Sequence, residues 1–134
     1  MPEENQPASS DKPTVLLVED DNFITTFLQD KLKDKYNALV ATTTAEAETI
    51  LGQSHVDIIA LDLLLPKENG FSLLERLRKP GNPHEKLPVI IVTNYDNKED
   101  IEKAKNLGVE DYLVKADYTP NEIVAKIDHA LGRS

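Results

Sequence analysis

Apolar and polar positions follow two rhythms along this chain. Short apolar runs stand at Val15–Val18, Tyr36–Ala41, Val56–Leu61, Val89–Val92 and Tyr112–Val114. Val56–Leu61 and Val89–Val92 are nearly unbroken, and Val15–Val18 is similar. A strand exposed on one face would alternate, so these runs are predicted to be strands covered on both faces. Elsewhere apolar residues recur every three or four positions, the spacing of one helical face. Five such stripes occur: Phe23, Ile24, Phe27, Leu28 and Leu32; Ala47, Ile50 and Leu51; Phe71, Leu74 and Leu77; Ile101, Ala104 and Leu107; Ile123, Ile127, Ala130 and Leu131. Gly52, Pro80-Gly81, Gly108 and Gly132 follow as stop signals, and Thr119-Pro120 supplies a cap and a first-turn proline for the last helix. Strand–helix alternation repeated five times predicts an α/β fold, a parallel sheet with helices on both faces. Right-handed crossovers leave few topologies. The expected one is a doubly wound five-stranded parallel sheet in the order 2-1-3-4-5.

The length, 134 residues, suits a single domain. Residues 1–12 hold no large aliphatic side chain beyond Met1 and read as a flexible tail, which leaves 13–134 as the expected domain. Asp and Glu number 24 against 15 Lys and Arg, a net charge of −9. That excess argues against direct nucleic-acid binding through general basicity. Cys is absent, which excludes disulfides, thiolate metal sites and cysteine nucleophiles. His55, His84 and His129 are scattered without metal-ligand spacing. No apolar run approaches the about 18 residues of a membrane span, and the N-terminus lacks the apolar core of a secretory signal, so the expected compartment is the cytoplasm.

In a sheet of this order, ligands bind beyond the carboxyl ends of the strands, where the strand order reverses. The polar residues at those ends are Glu19-Asp20-Asp21, Asp62, Thr93-Asn94 and Lys115. The first and third strands are neighbours at the reversal, so Glu19, Asp20 and Asp62 are predicted to converge. Each pair of like charges at 4 Å would cost about 4 kcal/mol at an effective dielectric of ~20. A hard divalent cation with oxygen ligands, Mg2+, would offset that repulsion, and Lys115 adds a mobile positive charge. Carboxylates, a divalent metal, a lysine and a hydroxyl suit phosphoryl transfer, in which a carboxylate can itself be the nucleophile. Asp62, central and flanked by apolar residues in ALDLLLP, is the best candidate.

The motifs VLLVEDD, ALDLLLPKENG, VIIVTN and DYLVK stand in the order and spacing of one family. Over about Thr14–Gly132 the chain resembles the receiver domain of two-component response regulators, a flavodoxin-like (βα)5 fold. Pro66 and Gly70, four and eight residues after Asp62, fit the same pattern. The resemblance implies that Asp62 is phosphorylated, taking the group from a sensor histidine kinase or a histidine phosphotransfer protein. It implies that Asp20 and Asp62 ligate Mg2+, with Glu19 acting mostly through water and the backbone carbonyl of Leu64 as a further ligand. Thr93 would be the switch hydroxyl, Lys115 the partner of the phosphoryl group, and Tyr112 the aromatic that turns inward as Thr93 moves. The face built from the fourth helix, fifth strand and fifth helix would then change shape and bind a downstream protein. Such a protein catalyses its own phosphorylation and hydrolysis and is not expected to be a turnover enzyme.

The sequence departs from the family pattern in places. Ala116 follows Lys115 where receivers usually have proline, so a trans bond is expected there. Asn94 replaces the usual small residue after the switch threonine. Leu64 and Tyr95, at positions flanking an incoming water, are bulky and predict slow hydrolysis of the phosphorylated state. Only Arg133-Ser134 follow the last helix, so a stand-alone regulator without a DNA-binding output is expected. A small Mg2+-dependent phosphatase would want a second acid at position 64, which is Leu. A receiver-like interaction module that no longer takes phosphate has Ala116 and Asn94 as its only support. The run Asn97–Lys105 reads as a solvated helix face with a Glu99–Lys103 pair.

Overall fold

The structure, a computed structural model, describes residues 12–132. Five strands, β1 (Thr14–Val18), β2 (Asn37–Ala41), β3 (Ile58–Leu61), β4 (Val89–Thr93) and β5 (Asp111–Val114), alternate with five helices. These are α1 (Asn22–Leu32), α2 (Thr44–Gln53), α3 (Gly70–Leu77), α4 (Lys98–Asn106) and α5 (Pro120–Ala130), with one 3₁₀ turn at Lys115–Asp117. All pairings are parallel, and the strand order is β2-β1-β3-β4-β5, as the alternation of elements predicts. The expected tail lies outside the described residues except for Lys12, whose carbonyl accepts from Asn37 Nδ2 at 3.1 Å.

Successive side chains of each strand enter opposite layers. Leu16, Val18, Ile59, Leu61, Val89 and Ile91 pack with residues of α2, α3 and α4 on one face. Val15, Leu17, Ile58, Ala60, Ile90 and Val92 pack with α1 and α5 on the other. Every residue of β1, β3 and β4 is buried, which accounts for their nearly unbroken apolar runs. β2, at an edge, is half-buried over most of its length. Tyr36 and Val56 precede their strands yet are buried, so the apolar runs begin earlier than the ladders do.

Three expectations need correction. The first helix does not bury its whole apolar stripe: Thr25, Leu28 and Leu32 face the core, while Phe23 is 76% and Phe27 45% exposed. Each Phe stands one residue, about 100° of helix, before Ile24 or Leu28 and so lies off the buried line. The two rings meet edge-to-face on the surface, 6.0 Å apart. Gly52 is not a stop signal, because α2 continues through Gln53 and ends at an extended Ser54. Lys103 does not pair along its own helix with Glu99. It reaches α3, where its Nζ lies 3.3 Å from Glu75 Oε2 and 4.4 Å from the Phe71 ring centre.

Candidate functional site

The sheet register builds the site. Val18 of β1 is paired with Leu61 of β3, so Glu19 and Asp62 are the next residues on adjoining strands. The Asp62 N–H donates to Val18 O at 2.9 Å and the Glu19 N–H to Ala41 O at 2.9 Å, which fixes both where the strands end. Thr93 is paired with Val114, which brings Lys115 to the same end of the sheet. Carboxylate oxygens of Glu19, Asp20 and Asp62 lie within 4.8 Å of one another. Glu19 and Asp62 are buried and Asp20 is exposed.

Lys115 Nζ sits between two of the acids, 2.6 Å from Glu19 Oε1 and 2.7 Å from Asp62 Oδ2. The 3₁₀ turn after β5 carries it there with no cis peptide bond, as expected for a chain with Ala116. Burial works against the Lys115 charge, but hydrogen bonds to Asp62 and Glu19 outweigh it and hold the ammonium above its usual range. Burial, helped by the Asp62 charge, pushes Glu19 above the ordinary carboxylate range despite the hydrogen bond from Lys115. The other Asp62 oxygen, Oδ1, accepts from the Leu64 N–H at 3.0 Å.

One lysine answers three carboxylates, so the cluster keeps an excess of negative charge. Hard oxygen donors with one exposed member suit a partly hydrated divalent cation. The acidic group could therefore hold a metal ion, and its chemistry fits Mg2+. Asp21, beside these acids in sequence, does something else. Its Oδ1 accepts from Phe23 N–H at 2.9 Å and Ile24 N–H at 3.3 Å, which caps α1. Its own N–H donates to Glu19 Oε2 at 3.1 Å and so helps orient that carboxylate. An acid immediately before a helical apolar stripe is the signal for this capping role.

Thr93 is fully buried, and its Oγ1 accepts from the Tyr95 N–H at 3.4 Å. The Tyr95 carbonyl in turn accepts from the Tyr112 hydroxyl at 2.8 Å. The backbone of Tyr95, through its N–H to Thr93 and its carbonyl from Tyr112, thus links the two residues expected to form the switch. Tyr112 is half-buried, and this hydroxyl bond anchors it. Burial, reinforced by Asp100 and Asp96, pushes its phenol up to about 12.

The family model described as the response regulator receiver domain matches residues 15–128. Among curated relatives, the transcriptional regulatory protein CpxR of Klebsiella pneumoniae is 36% identical over 121 residues, 90% of this chain and 50% of that protein. The transcriptional regulatory protein PmrA of Pectobacterium parmentieri is 33% identical over 121 residues, 90% of this chain and 53% of that protein. The chain therefore spans about half the length of the curated relatives it matches. Among solved structures, the non-phosphorylated HemR receiver domain of Leptospira biflexa superposes with a TM-score of 0.82 at 30% identity, covering 92% of this chain and 97% of that one. The receiver domain of the Francisella response regulator 1452 gives 0.80 at 29%, covering 90% and 98%. With its strand order, its strand-end acids and its bridging lysine, the chain belongs to the response regulator receiver domain family.

Proposed function

We propose that this chain is a phosphoryl acceptor in a two-component relay and that Asp62 is the residue modified. The observation that carries the reading is the meeting of Glu19, Asp20 and Asp62 at one sheet end with Lys115 Nζ between two of them. An Asp62 carboxylate oxygen forms a bond to phosphorus while the bond from phosphorus to the donor breaks, and the electron pair leaves with the donor atom. The donor is a phosphohistidine on a sensor kinase or a histidine phosphotransfer protein, whose imidazole nitrogen takes up that pair. Glu19, Asp20, Asp62 and the Leu64 carbonyl would hold Mg2+, which supplies charge shielding for the phosphoryl oxygens. Lys115 gives up one carboxylate contact and pairs with a phosphoryl oxygen, and Leu64 N–H holds the acceptor carboxylate in orientation.

Thr93 then exchanges its Tyr95 N–H contact for a phosphoryl oxygen, which frees the Tyr95 backbone whose carbonyl anchors Tyr112. The face of α4, β5 and α5 changes shape and binds a downstream protein. With a net charge of −9, the chain is read as signalling to protein rather than touching nucleic acid itself. It acts as an acceptor, not a turnover enzyme. Among the described residues no helix is long and apolar enough to cross a membrane, and the reading places donor and acceptor in the cytoplasm.

The test is incubation with a small acyl phosphate, with and without Mg2+, followed by intact mass. One metal-dependent phosphoryl adduct is expected, absent in Asp62→Asn and Asp62→Ala. An adduct that persists at unchanged yield in both variants removes Asp62 as the acceptor.

A further inference from the structure

The loop between β3 and α3 carries Asp62 and Leu64 and is tied down by residues far from it in sequence. Glu68, near its end, accepts two parallel hydrogen bonds from Arg76 of α3, Nη1 to Oε2 at 3.0 Å and Nη2 to Oε1 at 2.9 Å. The buried Thr44, first residue of α2, donates its hydroxyl to the same Glu68 Oε1. Arg76 also grips Glu48 of α2 through Nε and Nη2, both at 2.9 Å. Two carboxylates thus converge on one guanidinium, the Thr44 hydroxyl bonds one of those carboxylates, and together they join α2, α3 and the loop. Bidentate guanidinium–carboxylate pairs set geometry as well as energy. The hydrogen bonds from Arg76 and Thr44 hold the Glu68 carboxyl down at about 2, so it stays ionised at neutral pH.

A second observation comes from the backbone. Lys67 has φ 72°, the one non-glycine residue at positive φ among those described. The Glu68 N–H donates to Pro66 O at 2.7 Å across it, which makes a γ-turn of the strained hand. Such a conformation persists only where its surroundings over-determine it. The clamp on Glu68 begins at the very next residue. On the other side, the Gly70 N–H donates to Leu63 O at 3.0 Å, and the Leu64 N–H reaches Asp62 Oδ1.

From this arrangement we infer that Glu68, Arg76, Glu48 and Thr44 are positioning residues for the phosphoacceptor loop, holding the Leu64 peptide and Asp62 in place to receive the metal ion. The inference rests on the proposed function and adds the device that tunes that site. None of these four residues contacts the reacting atoms, so their effect passes through the strained turn at Lys67. Freed from the clamp, the loop would have to be ordered at the moment of metal binding, which weakens the affinity.

The test uses the full chain with Glu68→Gln and Arg76→Gln, and Asp30→Asn as a control that breaks the exposed Lys33–Asp30 pair. Phosphorylation by a small acyl phosphate is followed as Mg2+ is titrated, and amide hydrogen exchange is read in the metal-free protein. The half-saturating Mg2+ concentration should rise about tenfold in both clamp variants. The rate at saturating Mg2+ should stay within about twofold, a split that a general loss of fold would not produce. Exchange at the Leu64 and Gly70 amides should quicken in both variants and not in the control. Clamp variants matching the wild type in Mg2+ dependence and in exchange overturn the clamp alone. A wild-type chain inert to the donor overturns the proposed function, and with it the clamp's role at that site.

Discussion

Tyr112 shows how much one side chain can report about this fold. Its hydroxyl donates to the Tyr95 carbonyl at 2.8 Å, and burial raises its titration from 10.0 to about 12. The neutral phenol is thus favoured in the folded state. Its contribution to stability is complete below pH 10, the unfolded value, and fades as the pH climbs through 12. Tyr112→Phe should cost about 1 kcal/mol in denaturant unfolding at neutral pH, the usual worth of one hydrogen bond. The gap between the two proteins should close as the pH rises through that window. A gap of constant size up to the alkaline limit would mean that the hydroxyl is not held as described. Phe23 carries a different lesson. Its apolar character alone suggests burial, yet a shift of one residue along α1 turns it to solvent.

Helices and loops are positioned by contacts of a few residues each. α3 begins at Gly70, and a Cβ there would lie 2.4 Å from the Asp62 carbonyl oxygen and 2.9 Å from Leu63 Cα. The helix can start this close to the acceptor strand only because the side chain is absent. Gly70→Ala should force the Asp62 backbone or the helix to move, at about 1–3 kcal/mol of stability. It should also depress acyl-phosphate modification, because the shift falls on the acceptor itself. Thermal unfolding and intact mass measured on one sample check both effects, and an alanine variant equal to the wild type in each would contradict the close approach. α4 is tied differently. Lys103 joins it to Glu75 and Phe71 of α3, and Arg78 Nε donates to Leu107 O at 2.7 Å just past its end. These links cross between elements, so no helical repeat within α4 announces them. At α5, by contrast, the capping box of Thr119 and Glu122 is local and follows from Thr-Pro-Asn-Glu alone.

Over the molecule as a whole, the parallel sheet gathers charge at one end. Three carboxylates lie within 4.8 Å of one another there and Lys115 pairs with two of them, so a bound cation should stabilise the native state by mass action. At a Mg2+ concentration about 100 times its dissociation constant, the gain is about 2.7 kcal/mol. Thermal unfolding with Mg2+ and with a chelator should show that difference. Asp20→Asn should lose most of it, while leaving the metal-free protein little changed because Asp20 is exposed. An equal rise in the variant would place the ion elsewhere. Much of this organisation was legible from spacing. Strand order, the two-layer covering and the convergence of Glu19, Asp20, Asp62 and Lys115 follow from the alternation of elements and from which residue ends each strand. Such features depend on neighbours in the chain and on the few ways parallel strands can be connected. Side-chain partnerships away from the strand ends were not legible. The anchoring of Tyr112, the turn of Lys103 toward α3 and the grip of Arg76 on Glu48 and Glu68 arise only when separate helices and loops pack together. A charged side chain of several rotatable bonds has many partners within reach, and packing alone selects one.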